Sequence, residues 1–404
     1  MRSIHTTLLT VILTASVAAQ TLRTTQPTNY LREGPASYFQ IIASLPASTD
    51  VNKVEQKGSW FKVKTDGNET GWLSENSFAP RDGTGGRDQR MLQGKTSSRA
   101  SRAELAAAVK GFGDKYVQSG ADGGQEISKF SEPVVTAQQM EEFEHSFSVE
   151  PFRGYMQVER PFDIQFHEEA VGLGIARRII AEKGLVNDRT ATLYLNLIGN
   201  RLSKYTKAFD LGFRFYVLDD AKAGAFAVPG GYIFVTKGML AACANEAELA
   251  AVVAHEMVHV VQRHGVKELK KSEAKIKSES AFAELEAETG AGDAEEQELE
   301  EYANSVYQDL IAPRLLSYEK DADALTMVYL KRAGYDPTAL LSILQRIHEP
   351  SAATREIFDD RYMKKDEMEE RIGNVRSLIK EEGYRARADR RFADRYQRSI
   401  GSIR

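Results

Sequence analysis

The chain has 404 residues, a formal net charge of −5 and 42% hydrophobic residues, enough for two domains with a sizeable core in one of them. The mild acidity removes any electrostatic case for a nucleic-acid partner. A single cysteine, Cys243, excludes an internal disulfide. Residues 1–19 read as an export signal: Arg2 gives the positive start, 8–17 a short apolar run, and Val17-Ala18-Ala19 a small-residue cleavage site. A buried N-terminal helix or an uncleaved anchor is the competing reading. The run is short for a membrane span and no other stretch is long enough, so no integral span is expected after signal removal. A periplasmic or secreted location follows, and a lone free thiol is compatible with a periplasm.

Residues 20–80 carry short β-rich runs at 39–45, 51–56, 60–64 and 71–73, parted by turn signals such as Lys57-Gly58 and Asp66-Gly67. This is the pattern of a small all-β barrel. Tyr30-Leu31-Arg32-Glu33-Gly34-Pro35, Gly58-Ser59-Trp60-Phe61-Lys62-Val63 and Gly71-Trp72-Leu73 together resemble the bacterial SH3-like domain. The resemblance implies a binding or targeting role towards a cell-wall or protein ligand. Trp60, Trp72, Tyr30 and Tyr38 either line a groove or fill the barrel core.

Residues 81–161 read as linker and short helices: 81–101 is rich in Gly, Ser, Thr, Arg and Gln, with helices expected at 103–116 and 138–147. From 162 to 382 the pattern is one mainly helical domain with a small sheet. Helical spacing covers 167–183 and 189–205, strands are expected at 213–218 and 232–236, and further helices at 310–333, 337–348 and 365–382. The segment 229–235 has two readings. As an edge strand it would pair with an extended substrate through Gly230, Gly231, Tyr232 and Ile233; as an interior strand it would carry a glycine bulge. The charged stretch 267–308 reads as solvated helix, either a lid or a surface excursion. Residues 383–404 form an Arg-rich tail, read as a solvated amphipathic segment or a contact for an anionic surface. No phosphate loop and no serine nucleophile elbow is present.

The chemistry concentrates at 245–265. Its centre, His255-Glu256-Met257-Val258-His259, is H-E-x-x-H. On a helix, positions i and i+4 share a face, so both imidazoles can grip one metal ion. Glu256, about 100° round the axis, stands beside the metal, placed to take a proton from water. Two buried core histidines are the bland alternative. Leu249, Val252, Val253, Val260 and Val261 give the helix an apolar face, and Asn245 with Glu248 reads as its cap. A hydrolytic zinc site takes three protein ligands. Glu319 and Asp323, at i and i+4 on another expected helix, are the best source: Glu319 as ligand, Asp323 as acceptor for a ligand imidazole. An ordinary exposed acidic face is the alternative.

These motifs resemble the zinc endopeptidase family of the CAAX prenyl protease and the bacterial heat-shock membrane proteases. Besides Asn245 to Gly265 and Glu319-x-x-Ala322-Asp323, the likeness includes Ile198-Gly199-Asn200-Arg201-Leu202 and Ala225-Phe226-Ala227-Val228-Pro229-Gly230-Gly231-Tyr232. It implies one Zn2+ held by His255, His259 and Glu319, and an endopeptidase that clears damaged or unassembled envelope proteins, with a polypeptide as substrate. The family's C-terminal His-Pro-x-x-x-x-Arg-Ile element is reduced here to Lys365 through Arg371-Ile372, with Lys365 where the His would stand. Arg371, helped by Lys365 or Tyr232, is expected to stabilise the oxyanion. The chain is therefore expected to be multidomain: an SH3-like all-β barrel, then a mainly α, α+β zincin-like domain. Two other functions fit the same sequence, a chaperone with an idle peptidase site and a cell-wall peptide hydrolase.

Overall fold

The structure is a computed structural model that describes residues 20–79, 135–147, 166–265, 267, 307–308, 315–352, 354–358, 365–401 and 403. The expected signal, the linker, the helix at 103–116 and nearly all of the charged stretch 267–308 lie outside the described residues. The chain divides into two compact units, Met1–Pro35 with Ile41–Pro80, and Ala36–Gln40 with Arg81–Arg404.

The first unit is a six-stranded antiparallel sheet. Its strands are β1 (Gln20–Arg23), β2 (Thr28–Arg32), β3 (Ile41–Pro46), β4 (Asp50–Lys57), β5 (Trp60–Thr65) and β6 (Thr70–Ser74), in the order β1-β4-β5-β6-β2-β3. Leu31, Leu45, Val51, Val63 and Leu73 point to one side and make its core. β1 and β2 are short and largely polar, which hides them from a hydrophobicity pattern. Trp60 and Trp72 are 7% and 8% exposed but lie on the face of their strands opposite Val63 and Leu73, outside that cluster, and Tyr30 keeps 38% of its surface exposed.

In the second unit, α1 (Ala137–His145) starts with a full capping box between Thr136 and Gln139. Two longer helices follow, α2 (Phe166–Lys183) and α3 (Arg189–Ser203), the latter capped by Asp188. Three strands come next: β7 (Arg214–Leu218), β8 (Ala225–Val228) and β9 (Tyr232–Thr236). β9 lies in the middle, parallel to β7 and antiparallel to β8. The edge-strand reading of 229–235 is therefore corrected. Tyr232 and Ile233 each face a partner on both sides, Arg214 and Val228 for the first, Phe215 and Ala227 for the second. Both side chains are buried. Gly230 and Gly231 form the tight link from β8 to β9 with φ of 83° and 88°, values a side chain rarely adopts. The outer strand is β8; its two alanines give it little β-propensity, and it reads as connecting chain in the sequence.

Among the described residues, six further α-helices follow: α4 (Lys237–Ala242), α5 (Glu246–Val261), α6 (Leu316–Arg332), α7 (Ala339–His348), α8 (Lys365–Glu381) and α9 (Ala393–Ile400). α5 is apolar along most of its length, and all its residues but Glu256 are buried, so it must be covered on nearly every side. It packs against α3, α6, α7, β8 and β9. Its cap is the expected one: Asn245 Oδ1 accepts from the Glu248 backbone at 3.1 Å, while the Glu248 carboxylate accepts from the Ala244 N–H at 2.8 Å.

Most of the C-terminal tail is exposed, as a solvated amphipathic segment would be, but one face is fixed to the core. Tyr396 and Ile400 are buried in the same cluster as α5. Arg391 donates to the buried Asp336 at 2.8 Å, and Arg395 forks onto the buried Glu246 in the first turn of α5. Tyr194 and Tyr335 donate to the same Glu246 carboxylate at 2.5 and 2.7 Å. A buried carboxylate with an arginine and two phenols around it has its lone pairs satisfied.

Candidate metal centre

α5 presents His255 and His259 one turn apart, with their Nε2 atoms 3.1 Å from each other. α6 packs alongside and brings Glu319 to the same point. Its Oε2 is 3.1 Å from His255 Nε2 and its Oε1 is 3.4 Å from His259 Nε2. Among the described residues, this is the group of His, Cys, Asp or Glu side chains able to hold a metal. The three separations test the fit of an ion. Ligands about 2.0–2.1 Å from a tetrahedral centre stand about 3.3 Å from one another. Two imidazoles and a carboxylate at 3.1, 3.1 and 3.4 Å match that spacing. The donor set suits zinc with a fourth position left open.

Asp323, one turn along α6 from Glu319, is fully buried, and its Oδ1 lies 3.1 Å from His255 Nδ1. The contact is close but not linear enough for an ideal hydrogen bond, since Nδ1 has no well-aligned partner. It still holds the ring in an orientation that turns Nε2 towards the ligand cluster.

Arg371 on α8 reaches the carboxylates of α6. Its Nε and NH2 donate to the two Asp323 oxygens at 2.9 and 2.8 Å, and its NH1 lies 2.8 Å from Glu319 Oε2. The guanidinium thus bridges the carboxylates of Asp323 and Glu319, contacts the sequence does not announce. Tyr232 is buried in the sheet, and Lys365 is exposed in the first turn of α8.

The electrostatics follow from burial and pairing. Burial works against charge on Glu319, but Arg371 and His255 outweigh it and hold the carboxyl well below its usual range. Burial likewise opposes charge on Asp323, and the paired Arg371 with the nearby His255 keeps it low. For His255, burial alone would lower the pKa; Glu319 and Asp323 more than offset it and raise it to about 9 in the metal-free site. Arg371 stays charged, since Asp323 and Glu319 overcome its desolvation.

Glu256 differs from the rest of its helix. Of the 16 residues of α5, it alone is not buried. Its charge adds to those of Asp323 and Glu319 in keeping the Arg371 guanidinium protonated.

One residue of this site carries no role in the sequence reading. His264 is buried just beyond α5, with its Nδ1 2.8 Å from His259 Nδ1. Its ring stacks on Tyr318, centroids 4.3 Å apart and planes within 5°. The cause is local: Arg263 adopts φ 55°, which ends the helix and turns the next side chain back. A histidine five residues after the motif, at the end of an apolar helix, was the available signal.

A buried helix carrying H-E-x-x-H, faced by a carboxylate from a second helix, defines the architecture of a metallopeptidase centre. Comparison with known proteins points the same way. Residues 190–374 match the model for Peptidase family M48 and residues 28–78 that for the Bacterial SH3 domain. The beta-barrel assembly-enhancing protease of Yersinia pestis is 28% identical over 186 residues, 46% of this chain and 38% of that protein. The mitochondrial metalloendopeptidase OMA1 of Schizosaccharomyces pombe is 29% identical over 174 residues, 42% of this chain and 49% of that protein. The putative beta-barrel assembly-enhancing protease of Vibrio cholerae is 30% identical over 172 residues, 40% of this chain and 34% of that protein. The chain spans less than half the length of each of these relatives. No helix among the described residues is long and apolar enough to cross a membrane.

Proposed function

We propose that this protein is an exported zinc-dependent endopeptidase that cuts internal peptide bonds of misfolded or unassembled envelope proteins. The observation that carries the reading is the convergence of His255, His259 and Glu319, with Glu256 following His255 in the chain as the one α5 residue that is not buried. A bound zinc ion would polarise a peptide carbonyl and lower the pKa of water. His255 and His259 offer Nε2 lone pairs, and Glu319 offers a carboxylate oxygen. Glu256 accepts a proton from the attacking water as its oxygen adds to the carbonyl carbon. It returns that proton to the amine as the C–N bond breaks, with no acyl-enzyme formed. Asp323 orients His255. Arg371 positions Glu319 and Asp323. The envelope substrate class rests on the names of the bacterial relatives and on the export signal read at residues 1–19. The SH3 domain would then hold a cell-wall peptide or a partner protein.

The test is cleavage of unfolded casein by the purified protein, with and without a zinc chelator, and by Glu256→Gln. Loss of the base should lower the catalytic rate about 10²–10⁴-fold while metal content stays at one ion per chain. Undiminished proteolysis by Glu256→Gln, or cleavage indifferent to the chelator, would overturn the mechanism.

A further inference from the structure

We infer that His264 is a positioning residue for the metal centre: it accepts a hydrogen bond from His259 Nδ1 and thereby fixes the tautomer in which His259 Nε2 is a free lone pair. This rests on the metal-centre reading and extends it to a residue outside the motif.

Two imidazole nitrogens 2.8 Å apart must share one proton, since neither two lone pairs nor two N–H groups can face each other at that distance. A neutral His259 has two tautomers. With the proton on Nε2, that atom would point an N–H at His255 Nε2 and Glu319, and the ring would be useless as a ligand. With the proton on Nδ1, Nε2 is left as a donor to the ion, and His264 Nδ1 must be the acceptor. His264 then carries its own proton on Nε2.

The surroundings hold His264 in that pose. Its ring is 1% exposed and lies flat on Tyr318, so it cannot swing away from His259 without losing the stack. Tyr318 precedes Glu319 in α6, so one turn of that helix supplies a metal ligand and the platform for the group behind another ligand. The two histidines of the motif are thus held by different means. His255 has a carboxylate behind it, Asp323, and His259 has an imidazole. A neutral acceptor adds no charge to a site that already holds Glu319, Asp323 and Arg371.

Two substitutions separate hydrogen bonding from packing. His264→Phe keeps a flat ring on Tyr318 and removes the acceptor. His264→Asn gives up the stack but can place Oδ1 where Nδ1 was, restoring an acceptor. Zinc affinity is measured by competition with a chromogenic chelator, and the His259 tautomer in the metal-free protein by nitrogen-15 NMR of histidine-labelled samples. The expected result is a loss of affinity of about 10–100-fold for His264→Phe, within a few fold of wild type for His264→Asn. Wild-type His259 should show the Nδ1–H pattern, and His264→Phe should shift it towards Nε2–H. Equal losses in the two variants, or unchanged affinity in His264→Phe, would overturn the inference. So would an Nε2–H tautomer in the wild type, a result that stands even if His264→Phe does not fold. If the wild type binds no zinc at all, the metal-centre reading fails first and this failure is recognised separately.

Discussion

Arg371 offers the sharpest test of how the site is held. In Arg371→Met the guanidinium is replaced by an apolar chain of similar length. Three charge-assisted contacts vanish, two to Asp323 at 2.9 and 2.8 Å and one to Glu319 at 2.8 Å. Asp323 has no exposed surface through which water could compensate. Removing one partner of a buried ion pair costs about 3–5 kcal/mol, because the other charge stays buried. For a domain of this size that is a fall in Tm of about 6–20 °C. The assay is thermal unfolding in excess chelator, followed by circular dichroism, so that no metal ion masks the effect. Arg371→Lys keeps the charge but cannot fork across two carboxylates, and should lose about 1.5–3 kcal/mol. An oxyanion donor would behave differently: its removal would lower kcat and leave the chelator-treated Tm in place. A Tm for Arg371→Met within about 2 °C of wild type would refute the bridging role.

Other consequences can be measured independently. Arg395→Met should destabilise the protein by about 3 kcal/mol in urea, because Glu246 is fully buried and keeps only its two tyrosine donors. A double-mutant cycle with Glu246→Gln should then show coupling above about 1 kcal/mol. Gly199→Ala should cost at least about 1–3 kcal/mol, since the new methyl would lie 2.2 Å from the Phe215 ring. Gly373→Ala, on α8 with nothing within 4 Å, should instead stabilise by about 0.5–1 kcal/mol. Burial and then Glu246 raise the Tyr194 and Tyr335 phenols above their usual value. The stability their neutral forms give is therefore whole below pH about 10 and is lost as pH rises further. An ultraviolet alkaline titration should find both phenols ionising only as the fold opens, and Tyr335→Phe should remove one phenol from that late phase.

Local periodicity made the helices of the peptidase domain and the motif legible. His255 and His259 needed only the i, i+4 rule, and Glu319 with Asp323 obeyed the same rule on α6. What lay beyond reach was the pairing of distant pieces. Which strand is outermost depends on sheet order, and nothing in Tyr232–Thr236 says that it pairs on both sides while the four residues of β8 take the outer place. Arg371 was visible as a charge, but its direction depends on how α8 crosses α6. The tail is the extreme case: Arg395 meets Glu246 across 149 residues, and an Arg-rich segment read locally is indistinguishable from a solvated one. His264 was missed because continuing the helical pattern places it off the motif face; only the left-handed turn at Arg263 returns it.

These long-range contacts share one purpose. α5 is apolar along most of its length, and apolar packing does little to fix its axial position, because neighbouring registers bury similar side chains. A slide of one residue would move the histidines about 1.5 Å and turn them by about 100°, which would destroy spacings of 3.1–3.4 Å. Directional contacts at the two ends remove that freedom. At the N-terminal end, Glu246 is held by Arg395, Tyr194 and Tyr335, and Asn245 caps the first turn. At the C-terminal end, where the helix dipole favours a cation, His259 is held by His264 and faces Glu319. The register of the helix, and with it the ligand geometry, is therefore set by polar groups drawn from α3, α6, α9 and the loop after α6. On this account Arg395→Met should weaken zinc binding as well as the fold, although the substituted residue lies at the opposite end of α5 from the metal ligands.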